Sequence, residues 1–524
     1  MPKTAKWQIL LLALVLSALF GKEAQAQTIN ATNCSSTAVQ TALNSVAADG
    51  TTVVIPSGSC SWTTSVAYNQ VYSTTIQGQS TVTGTCAPGG SCAASDSTNI
   101  TLTGSGSGSI TIHTKAGKSL RITGLSLTNP SGGSAAYGAI TIDGTSTAVR
   151  VDHNHVNDLV TGDHTFQVDA INGVFDHNLL DSTNQANTFI FQPTNNGGNN
   201  NANDIWTQPD ALGSGNFVFV ENNLIQNVAF AFDCDFGGRI TFRYNIIGTN
   251  TRLQSHGVGS GAQRRGCRTM EVYQNTFTFS SSPNSNSFAF VQDFESGTGM
   301  WWGNTITAFT TFLREDVVRS NSSTYTQTAS PNGWGYCGTA ASGSGTAWDG
   351  STSGNGYPCL DSIGRGQSDQ LTDTDFPNIV NQTTGTIAWP HQLLVPVYVW
   401  GNTLNTNSYA QNHLWQNFDN AAKENQDYYL QLPNVDEPGS FTGAAGVGCG
   451  PSTGTGCPAN GVARPATCTT GVGYWNVTSQ SFFVCTATNT WGTTAYYTPY
   501  TYPHPLTQGS TLVAPPTSLA AVVQ

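Results

Sequence analysis

The chain of 524 residues carries 18 Lys and Arg against 30 Asp and Glu, a net charge of −12. So negative a chain is not expected to bind nucleic acid, and it contains no nucleotide-binding loop, zinc motif or nucleophile elbow. Only 9% of its residues are charged, and Gly, Ser, Thr and Asn dominate, as in proteins whose short strands need frequent turns. Regular apolar positions and an aromatic content of 10% argue against disorder.

The first 26 residues have the pattern of a signal peptide. Lys3 and Lys6 flank the start of the chain, an apolar run occupies 9–20, and Ala-Gln-Ala follows at 24–26. No later run of about 18 apolar residues could span a bilayer. We therefore expect cleavage after Ala26 and a secreted protein, either extracellular or periplasmic.

The next segment predicts a short helix followed by a strand. Ser36 is the expected N-cap, and Val39, Ala42, Leu43 and Val46 have the spacing of one helical face. The sequence TTVVIPSGSCSW at 51–62 then predicts a strand and a sharp turn.

The main body of the chain repeats one short phrase, in which alternating apolar residues precede an Asn. The copies are VRVDHNHV at 149–156, GVFDHNLL at 173–180, FVFVENNLI at 217–225, ITFRYNII at 240–247, MEVYQNTF at 270–277, GMWWGNTI at 299–306 and VYVWGNTL at 397–404. The repeated residues are Asn154, Asn178, Asn222, Asn245, Asn275, Asn304 and Asn402. Spacings of 24, 29 and 30 residues with β-type alternation indicate a parallel β-helix. Asn tolerates left-handed backbone, and its amide can bond to the next Asn, so we expect an Asn ladder inside one corner.

The helix, the strand and the repeat together resemble the pectate lyase and polygalacturonase group of right-handed parallel β-helices, without identifying a member family. In that group a helix covers the open end of the first coil, where unpaired strand edges would otherwise recruit other chains. The resemblance implies an all-β solenoid over 27–410 with an N-terminal cap, after a leader at 1–26. It covers the architecture and is not specific for activity.

Residues 411–524 differ from the repeats, since they contain four Cys and a stretch rich in Trp and Tyr at 474–497. We expect a loop-rich, disulfide-stapled segment whose aromatic residues pack against the coils, with a sugar-stacking platform as the alternative.

All twelve Cys lie after the leader, and an even number in an exported chain indicates disulfide bonds. Pairing of sequence neighbours would join Cys34–Cys60, Cys86–Cys92, Cys234–Cys267, Cys337–Cys359, Cys449–Cys457 and Cys468–Cys485, although the sequence does not fix the connectivity. No pair has CxxC spacing, so a Cys metal cluster is not expected.

One strand of each coil is expected to carry polar side chains outward. These strands lie in FIFQPT, FAFDCDF, TRLQSHG, FAFVQDFES and TTFLREDVV. With Phe232, Leu253 and Phe290 inward, alternation places five side chains outward: Asp233, Asp235, Gln254, His256 and Asp293. Asp235, His256 and Asp293 would then stack on coils about 4.8 Å apart, within reach of one sugar unit.

A concentration of Arg surrounds His256. Six of the twelve Arg lie within thirty residues, namely Arg239, Arg243, Arg252, Arg264, Arg265 and Arg268. Guanidinium groups bind carboxylates in bidentate fashion, so a basic island in an acidic chain indicates an acidic polysaccharide as ligand. Pairing with nearby acidic residues is the structural alternative.

The Arg island favours a polysaccharide lyase acting on a uronate polymer. Arg264, Arg265 or Arg268 would hold the uronate carboxylate while His256 or an Arg removes the C5 proton. In the β-helix lyases that this chain resembles, an Arg or Lys acts as the base, often with Ca²⁺ held by Asp. The resemblance therefore makes Asp233, Asp235 and Asp293 candidate calcium ligands. Arg243, Arg252, Gln254, Asp293, Tyr273 and Trp302 are candidate substrate contacts.

A hydrolase is the first alternative. Asp233-Cys-Asp235 followed by His256-Gly257 resembles the polygalacturonase order, in which an Asp pair precedes His-Gly by about one coil, and two carboxylates would flank the scissile bond. In that family the paired Asp are adjacent, and its Asn-Thr-Asp and Arg-Ile-Lys motifs have no counterpart here. A monomeric carbohydrate-binding solenoid without catalysis is the second alternative.

A second row of side chains follows the position before the repeated turn. Asp152 and Asp176 begin it and are expected to be exposed rather than to share a cation. Arg243, Tyr273, Trp302 and Trp400 continue it, either as a sugar-contacting surface or as a platform covered by the C-terminal segment.

Overall fold

Three long parallel sheets wind around one axis. The computed structural model describes residues 26–508 except for 104–109, 130–137, 160–163, 182–187, 193–204, 249–250, 258–265, 280–289, 310, 316–360, 369–391, 406–413, 418–421, 432–440 and 458–460. The expected leader and the expected Cys337–Cys359 pair therefore lie outside the described residues.

The first sheet has twelve strands. They are Thr28–Asn30, Thr51–Val54, Thr74–Gln77, Leu120–Thr123, Val149–Asp152, Gly173–Asp176, Val218–Glu221, Arg239–Arg243, Thr269–Tyr273, Thr298–Trp302, Val397–Trp400 and Tyr428–Leu430. The second sheet has ten strands. They are Gly58–Trp62, Thr98–Leu102, Ser126–Asn129, His155–Leu159, Leu179–Asp181, Leu224–Gln226, Ile246–Gly248, Thr276–Thr278, Thr305–Thr307 and Thr403–Asn405.

The third sheet also has ten strands. They are Val66–Asn69, Ile110–Thr114, Ile140–Gly144, His164–Val168, Thr188–Gln192, Phe230–Cys234, Arg252–Ser255, Phe290–Phe294, Thr311–Glu315 and Trp415–Asn417. The chain visits the first, second and third sheets in turn and pairs each strand in parallel with its counterpart one coil away. The protein is a right-handed parallel β-helix, as the resemblance implied.

Alternation along each strand builds the core. In the first sheet Val151, Phe175, Val220, Phe242 and Val272 stack in register on successive coils, and each is fully buried. Such stacking removes apolar surface from water at about 25 cal/mol per Å². Because every strand between the two ends of a sheet is paired on both edges, the same arrangement satisfies its backbone hydrogen bonds.

The Asn ladder forms at the corner between the first and second sheets. The amide nitrogen of Asn154 donates to the Oδ1 of Asn178 at 3.1 Å, and Asn178 donates to Asn223 at 3.1 Å. The ladder continues through Asn245, Asn275 and Asn304 to Asn402. The ladder was predicted, but the prediction of Asn222 as its third member is wrong by one residue.

The left-handed backbone at this corner belongs to the residue before each Asn. His153, His177, Asn222, Tyr244 and Gln274 have φ between 53° and 57°. Asn222 is therefore the turn residue, and Asn223 provides the buried amide. The ladder Asn contribute through hydrogen bonds rather than through tolerance of left-handed backbone.

The N-terminal helix covers the first coil. It spans Ser36–Asn44 and buries Val39, Ala42 and Leu43 against the core. Its N-cap is Ser35, whose side chain accepts from the backbone N–H of Ala38 at 3.3 Å, so the prediction of Ser36 as the cap is wrong by one residue.

Replacing Ser35 with alanine is expected to lower the free energy of unfolding by about 1 kcal/mol, because the first turn loses a partner for one N–H group. Ser36→Ala is the matched control and should change the free energy of unfolding by less than about 0.5 kcal/mol. The Ser36 hydroxyl makes only an exposed hydrogen bond, to the hydroxyl of Thr64. Urea unfolding of both variants measures the difference, and equal losses would contradict the assignment of the cap.

Five of the predicted disulfide pairs are confirmed: Cys34–Cys60, Cys86–Cys92, Cys234–Cys267, Cys449–Cys457 and Cys468–Cys485. The second bond closes a hairpin formed by Thr81–Gly84 and Cys92–Ser95, which packs its Val82 on Leu179 of the second sheet. The third bond joins two coils directly beside His256.

The solenoid extends beyond the expected boundary at residue 410, because Trp415–Asn417 and Tyr428–Leu430 complete the third and first sheets. The chain then forms a small sheet of Val447–Gly450, Gly473–Asn476, Ser481–Ala487 and Thr490–Trp491, and a 3₁₀ turn at Pro505–Thr507. No helix within the described part of the chain has the length and apolar character that crossing a membrane requires.

Candidate functional site

The outer face of the third sheet collects polar side chains on three successive coils, with carboxylates on the two outer ones. Asp233 lies in register with Gln254, and Gln254 with Asp293. Asp235, His256 and Glu295, each two residues further along, form a parallel row. We call these six residues the acidic face. Asp233, Asp235, Asp293 and Glu295 are each less than a tenth exposed.

The predicted stack of Asp235, His256 and Asp293 is therefore wrong at its third member, where Glu295 takes the place of Asp293. The shift arises because Gln292, not Phe290, points inward beside Leu253. The Gln292 amide is satisfied inside the coil, accepting from the indole of Trp301 at 2.8 Å and donating to the sulfur of Met270 at 3.3 Å.

His256 is held rigidly at the centre of the acidic face. Its backbone N–H donates to the carbonyl of Cys234, and its own carbonyl accepts from Cys267 N–H and from the Ser296 hydroxyl. The ring Nδ1 lies 2.7 Å from Asp233 Oδ1, and Nε2 lies 2.8 Å from the Gln254 amide. The Cys234–Cys267 bond joins the two residues whose backbone groups bond to His256 from either side.

The His256 ring is a cation at neutral pH. Burial alone would lower its pKa, but the Asp233 carboxylate, with smaller contributions from Glu295 and Asp235, raises the pKa to about 10. The amide nitrogen of Gln254 faces Nε2 in this structure, and because an imidazolium donates at both nitrogens, the amide must turn over to present its oxygen to the protonated ring. A ring that is already protonated cannot serve as the base expected for elimination.

Asp169 joins the acidic face from two coils away. Gln167 is level with Phe191, and Phe191 with Asp233, so Asp169 continues the row of Asp235. Burial, and to a lesser degree the neighbouring Asp143, raises the pKa of Asp169 to about 7. Its Oδ1 has no hydrogen-bond partner among the described residues. This carboxyl group therefore holds a proton near neutral pH.

A ladder of rings and guanidinium groups borders the acidic face. The guanidinium of Arg252 lies 4.7 Å from the ring centre of Phe230 and 5.2 Å from that of Phe290. Arg314 lies 4.3 Å from the Phe290 ring and contacts both oxygens of Asp293 at 3.3 Å. Burial lowers the pKa of Arg252 to about 10, against the opposing effect of Asp293.

Most of the Arg island is structural. Arg268 is fully buried, pairs with Asp210 and lies over the ring of Trp206. Arg239 is buried and donates to the carbonyl of Pro209. The prediction that Arg268 holds a substrate carboxylate is therefore wrong, and Arg264 and Arg265 lie outside the described residues.

The substrate contacts predicted for Arg243, Tyr273 and Trp302 are also wrong, because the C-terminal segment covers all three. Arg243 donates to the carbonyls of Tyr500 and Thr501 and pairs with Glu221. Trp302 lies at most 2% exposed beneath Trp475. Of the two alternatives for this aromatic row, a sugar-contacting surface or a platform covered by the C-terminal segment, the structure shows the second.

Asp152 and Asp176 are fully buried, contrary to the prediction of exposure. Arg121 binds Asp152 through Nε and Nη2, and Arg150 binds Asp176 in the same way. His153 and His177 add a hydrogen bond from each turn. These cations relieve the repulsion between the stacked carboxylates, so no shared metal ion is needed.

The expected calcium ligands do not converge. Asp233 pairs with His256, Asp293 contacts Arg314, and Asp235 accepts from the N–H of Phe236 at 2.8 Å. Across the residues that the structure describes, no three His, Cys, Asp or Glu side chains are arranged to hold a metal ion.

The sequence argument missed Asp169, Glu295 and Arg314. Glu295 and Arg314 lie in strands that were recognised, and correct assignment of Gln292 as inward would have found them. Asp169 follows the strand HTFQV with the same alternation and could have been found by extending the row by two coils.

Comparison with known proteins gives little further information. No protein-family model matches the sequence, and no curated protein matches it. Among solved structures, the chain is similar to the family 28 exopolygalacturonase of Yersinia enterocolitica at 12% identity. That match covers 56% of this chain and 74% of that one, with a TM-score of 0.27. A similarity of this size does not transfer function.

Proposed function

We propose that the acidic face hydrolyses glycosidic bonds of a polysaccharide, with Asp169 as general acid and Asp235 as general base. The observation that carries the proposal is the different environment of the two carboxyl groups. Glycoside hydrolases need one protonated and one ionised carboxyl group on opposite sides of the bond.

Asp169 suits the acid because its pKa of about 7 keeps it protonated in mildly acidic solution and partly protonated at neutral pH. Asp235 suits the base because its Oδ1 accepts the N–H of Phe236 and its carboxyl group lies in the same row as the His256 ring, on which its charge acts. The His256 cation holds Asp233 beside it and partly balances the negative charge of the face.

The separation of the two groups favours inversion. Asp169 and Asp235 lie in the same row two coils apart, and two strand spacings of about 4.8 Å separate them by roughly 9–10 Å. That is much more than the ~5 Å typical of retaining enzymes and near the upper end of the ~6.5–9.5 Å typical of inverting ones, which need room for a water molecule.

The finer expectation of a uronate substrate is supported by Arg252 and Arg314, which lie beside the acidic face and are partly exposed.

One observation keeps elimination as a second candidate. The lowered pKa of Arg252, about 10, makes this side chain a better base than an ordinary Arg. Action outside the cytoplasm remains part of the proposal and agrees with the five disulfide bonds found among the described residues. A monomeric state is also part of the proposal.

The test is incubation of the purified protein with uronate and neutral polysaccharides, with and without calcium, while reducing ends and ultraviolet absorbance are followed. We expect reducing ends without absorbance, and proton NMR should show the inverted anomer as the first product. Asp235→Asn should lower the rate by about 10²–10⁴-fold.

Asp181→Asn is the matched control, because Asp181 is an exposed carboxylate on the second sheet and should leave the rate unchanged. Rising absorbance that is lost in Arg252→Gln would replace hydrolysis with elimination. Polysaccharide binding without either signal would leave a binding solenoid and refute the catalytic proposal.

A further inference from the structure

A cavity lined by both polar and apolar groups lies away from the acidic face. It has a volume of about 290 Å³ and lies between the Thr81–Gly84 strand of the hairpin and the corner where the first sheet turns into the second. Its lining includes Ser80, Thr81, Thr83, Arg121, Thr123 and His153. This volume is at the lower end of the range for small-molecule sites and suits a ligand of about one sugar unit.

Asp152 orients the two nitrogen-bearing side chains of this cavity. It is fully buried and accepts from Arg121 Nε at 2.7 Å and from Nη2 at 2.6 Å. The Nδ1 of His153 also faces Asp152, at 2.7 Å. Arg121 therefore has Nη1 remaining for a ligand, and His153 has Nε2.

The two side chains are partly exposed, at 43% for Arg121 and 36% for His153, although the carboxylate that holds them is inaccessible. Their positions are thus fixed from below while their outer edges face the cavity. Fixed donors bind with less loss of conformational entropy than mobile surface side chains do. A guanidinium edge is complementary to a carboxylate, whereas an imidazole nitrogen and threonine hydroxyls are complementary to sugar hydroxyls.

We propose that this cavity is a carboxylate-binding sugar site, separate from the acidic face, which takes a single uronic acid unit. The Arg121 edge would bind the carboxylate, and His153 Nε2 with Thr81 and Thr83 would bind hydroxyl groups. Binding here would hold a uronate chain on the protein without cleaving it.

The next coil provides a natural control. Arg150, Asp176 and His177 repeat the same contacts, and the His153 and His177 rings stack with centres 5.0 Å apart. Both histidines have left-handed backbone, with φ of 53° and 54°. Only the first unit lines the cavity, so the two units share structural roles but differ in access to a ligand.

The experiment measures binding of galacturonate, and of galactose as the sugar without the carboxylate, by calorimetry and ligand-observed NMR. Neither monosaccharide has a glycosidic bond to cleave, so the parent protein is used and turnover does not interfere. We expect galacturonate to bind measurably and galactose at least about tenfold more weakly, the factor that corresponds to about 1.4 kcal/mol.

His153→Asn tolerates the left-handed backbone and should weaken galacturonate binding about tenfold. His177→Asn should leave binding unchanged. Thr81→Trp fills the cavity from its exposed rim without touching Asp152 and should abolish binding. The proposal is overturned by equal binding of the two sugars, by equal losses in His153→Asn and His177→Asn, or by full binding in Thr81→Trp.

Discussion

Asp169→Asn is expected to lower kcat by about 10²–10⁴-fold while making the protein more stable at neutral pH. The loss of rate follows from removal of the general acid, because an amide cannot transfer a proton to the leaving group. Substrate binding should change much less, since the amide keeps the shape of the carboxyl group. Initial rates over a range of substrate concentrations separate the two effects.

Titration of Asp169 makes both kcat and the stability of the folded protein depend on pH. In the parent protein kcat should fall as the pH rises through about 7, because Asp169 then loses its proton. The same group costs stability, since its pKa rises from 3.8 in the unfolded chain to about 7 in the folded one. The folded state therefore loses stability as the pH rises from about 4 to 7.

Asn carries no such cost. At pH 7 to 8 we expect Asp169→Asn to be more stable by about 1–2 kcal/mol, after allowance for the partial exposure of the site, and equally stable near pH 4. Thermal unfolding at both pH values measures the difference. A variant that is less active and more stable is typical of a group under functional strain.

Asp143→Asn is the matched control one coil earlier. The Asp143 charge contributes to the raised pKa of Asp169, so its removal should shift the alkaline limb of the rate profile to lower pH while the rate at low pH is retained. If Asp169→Asn retains full activity, or if the limb stays in place in Asp143→Asn, Asp169 is not the acid.

The second large effect is expected for Arg243→Met, which should lower the free energy of unfolding by about 3–5 kcal/mol. Arg243 is fully buried and donates to Glu221, to the hydroxyl of Tyr273 and to two carbonyls of the C-terminal segment. Its loss leaves the buried Glu221 carboxylate without its cation. The segment at 497–508 should then become sensitive to protease.

Two comparisons make this test specific. Arg464→Met removes an exposed Arg of the C-terminal segment that lies over the rings of Phe483 and Trp491, and should cost less than about 1 kcal/mol. Adding Glu221→Gln to Arg243→Met should recover part of the loss, because no charge then remains buried. A cost below about 1 kcal/mol for Arg243→Met would contradict the role of Arg243 as the main attachment of the segment.

The fold could be predicted from the repeat because the repeat has a physical cause. Each coil needs one amide to bond to the coils on both sides, so the Asn recurs once per coil and marks the corner. Asn222 and Asn223 show the limit of this signal. Both are Asn, and only the hydrogen bond from Asn178 identifies the second as the ladder residue.

The site was harder to predict because polar residues do not always point outward. Gln292 lies inside the coil, where Trp301 and Met270 satisfy its amide, and this displaced Asp293 by two positions from its predicted row. The Arg island was misleading for a related reason. Asp210 and Glu221, which neutralise Arg268 and Arg243, come from other parts of the chain and cannot be assigned by spacing alone.

The path of the C-terminal segment has a consequence for how the molecule is made. A solenoid is stabilised between neighbouring coils, so it can in principle grow coil by coil from its first end as the chain emerges. Here the last part of the chain returns past six coils. Its contacts, one on each coil, are with Tyr429, Tyr398, Trp302, Glu271, Arg243 and Glu221. These six later coils thus wait for the last residues to be synthesised before they are locked, and we expect them to unfold together as one cooperative unit.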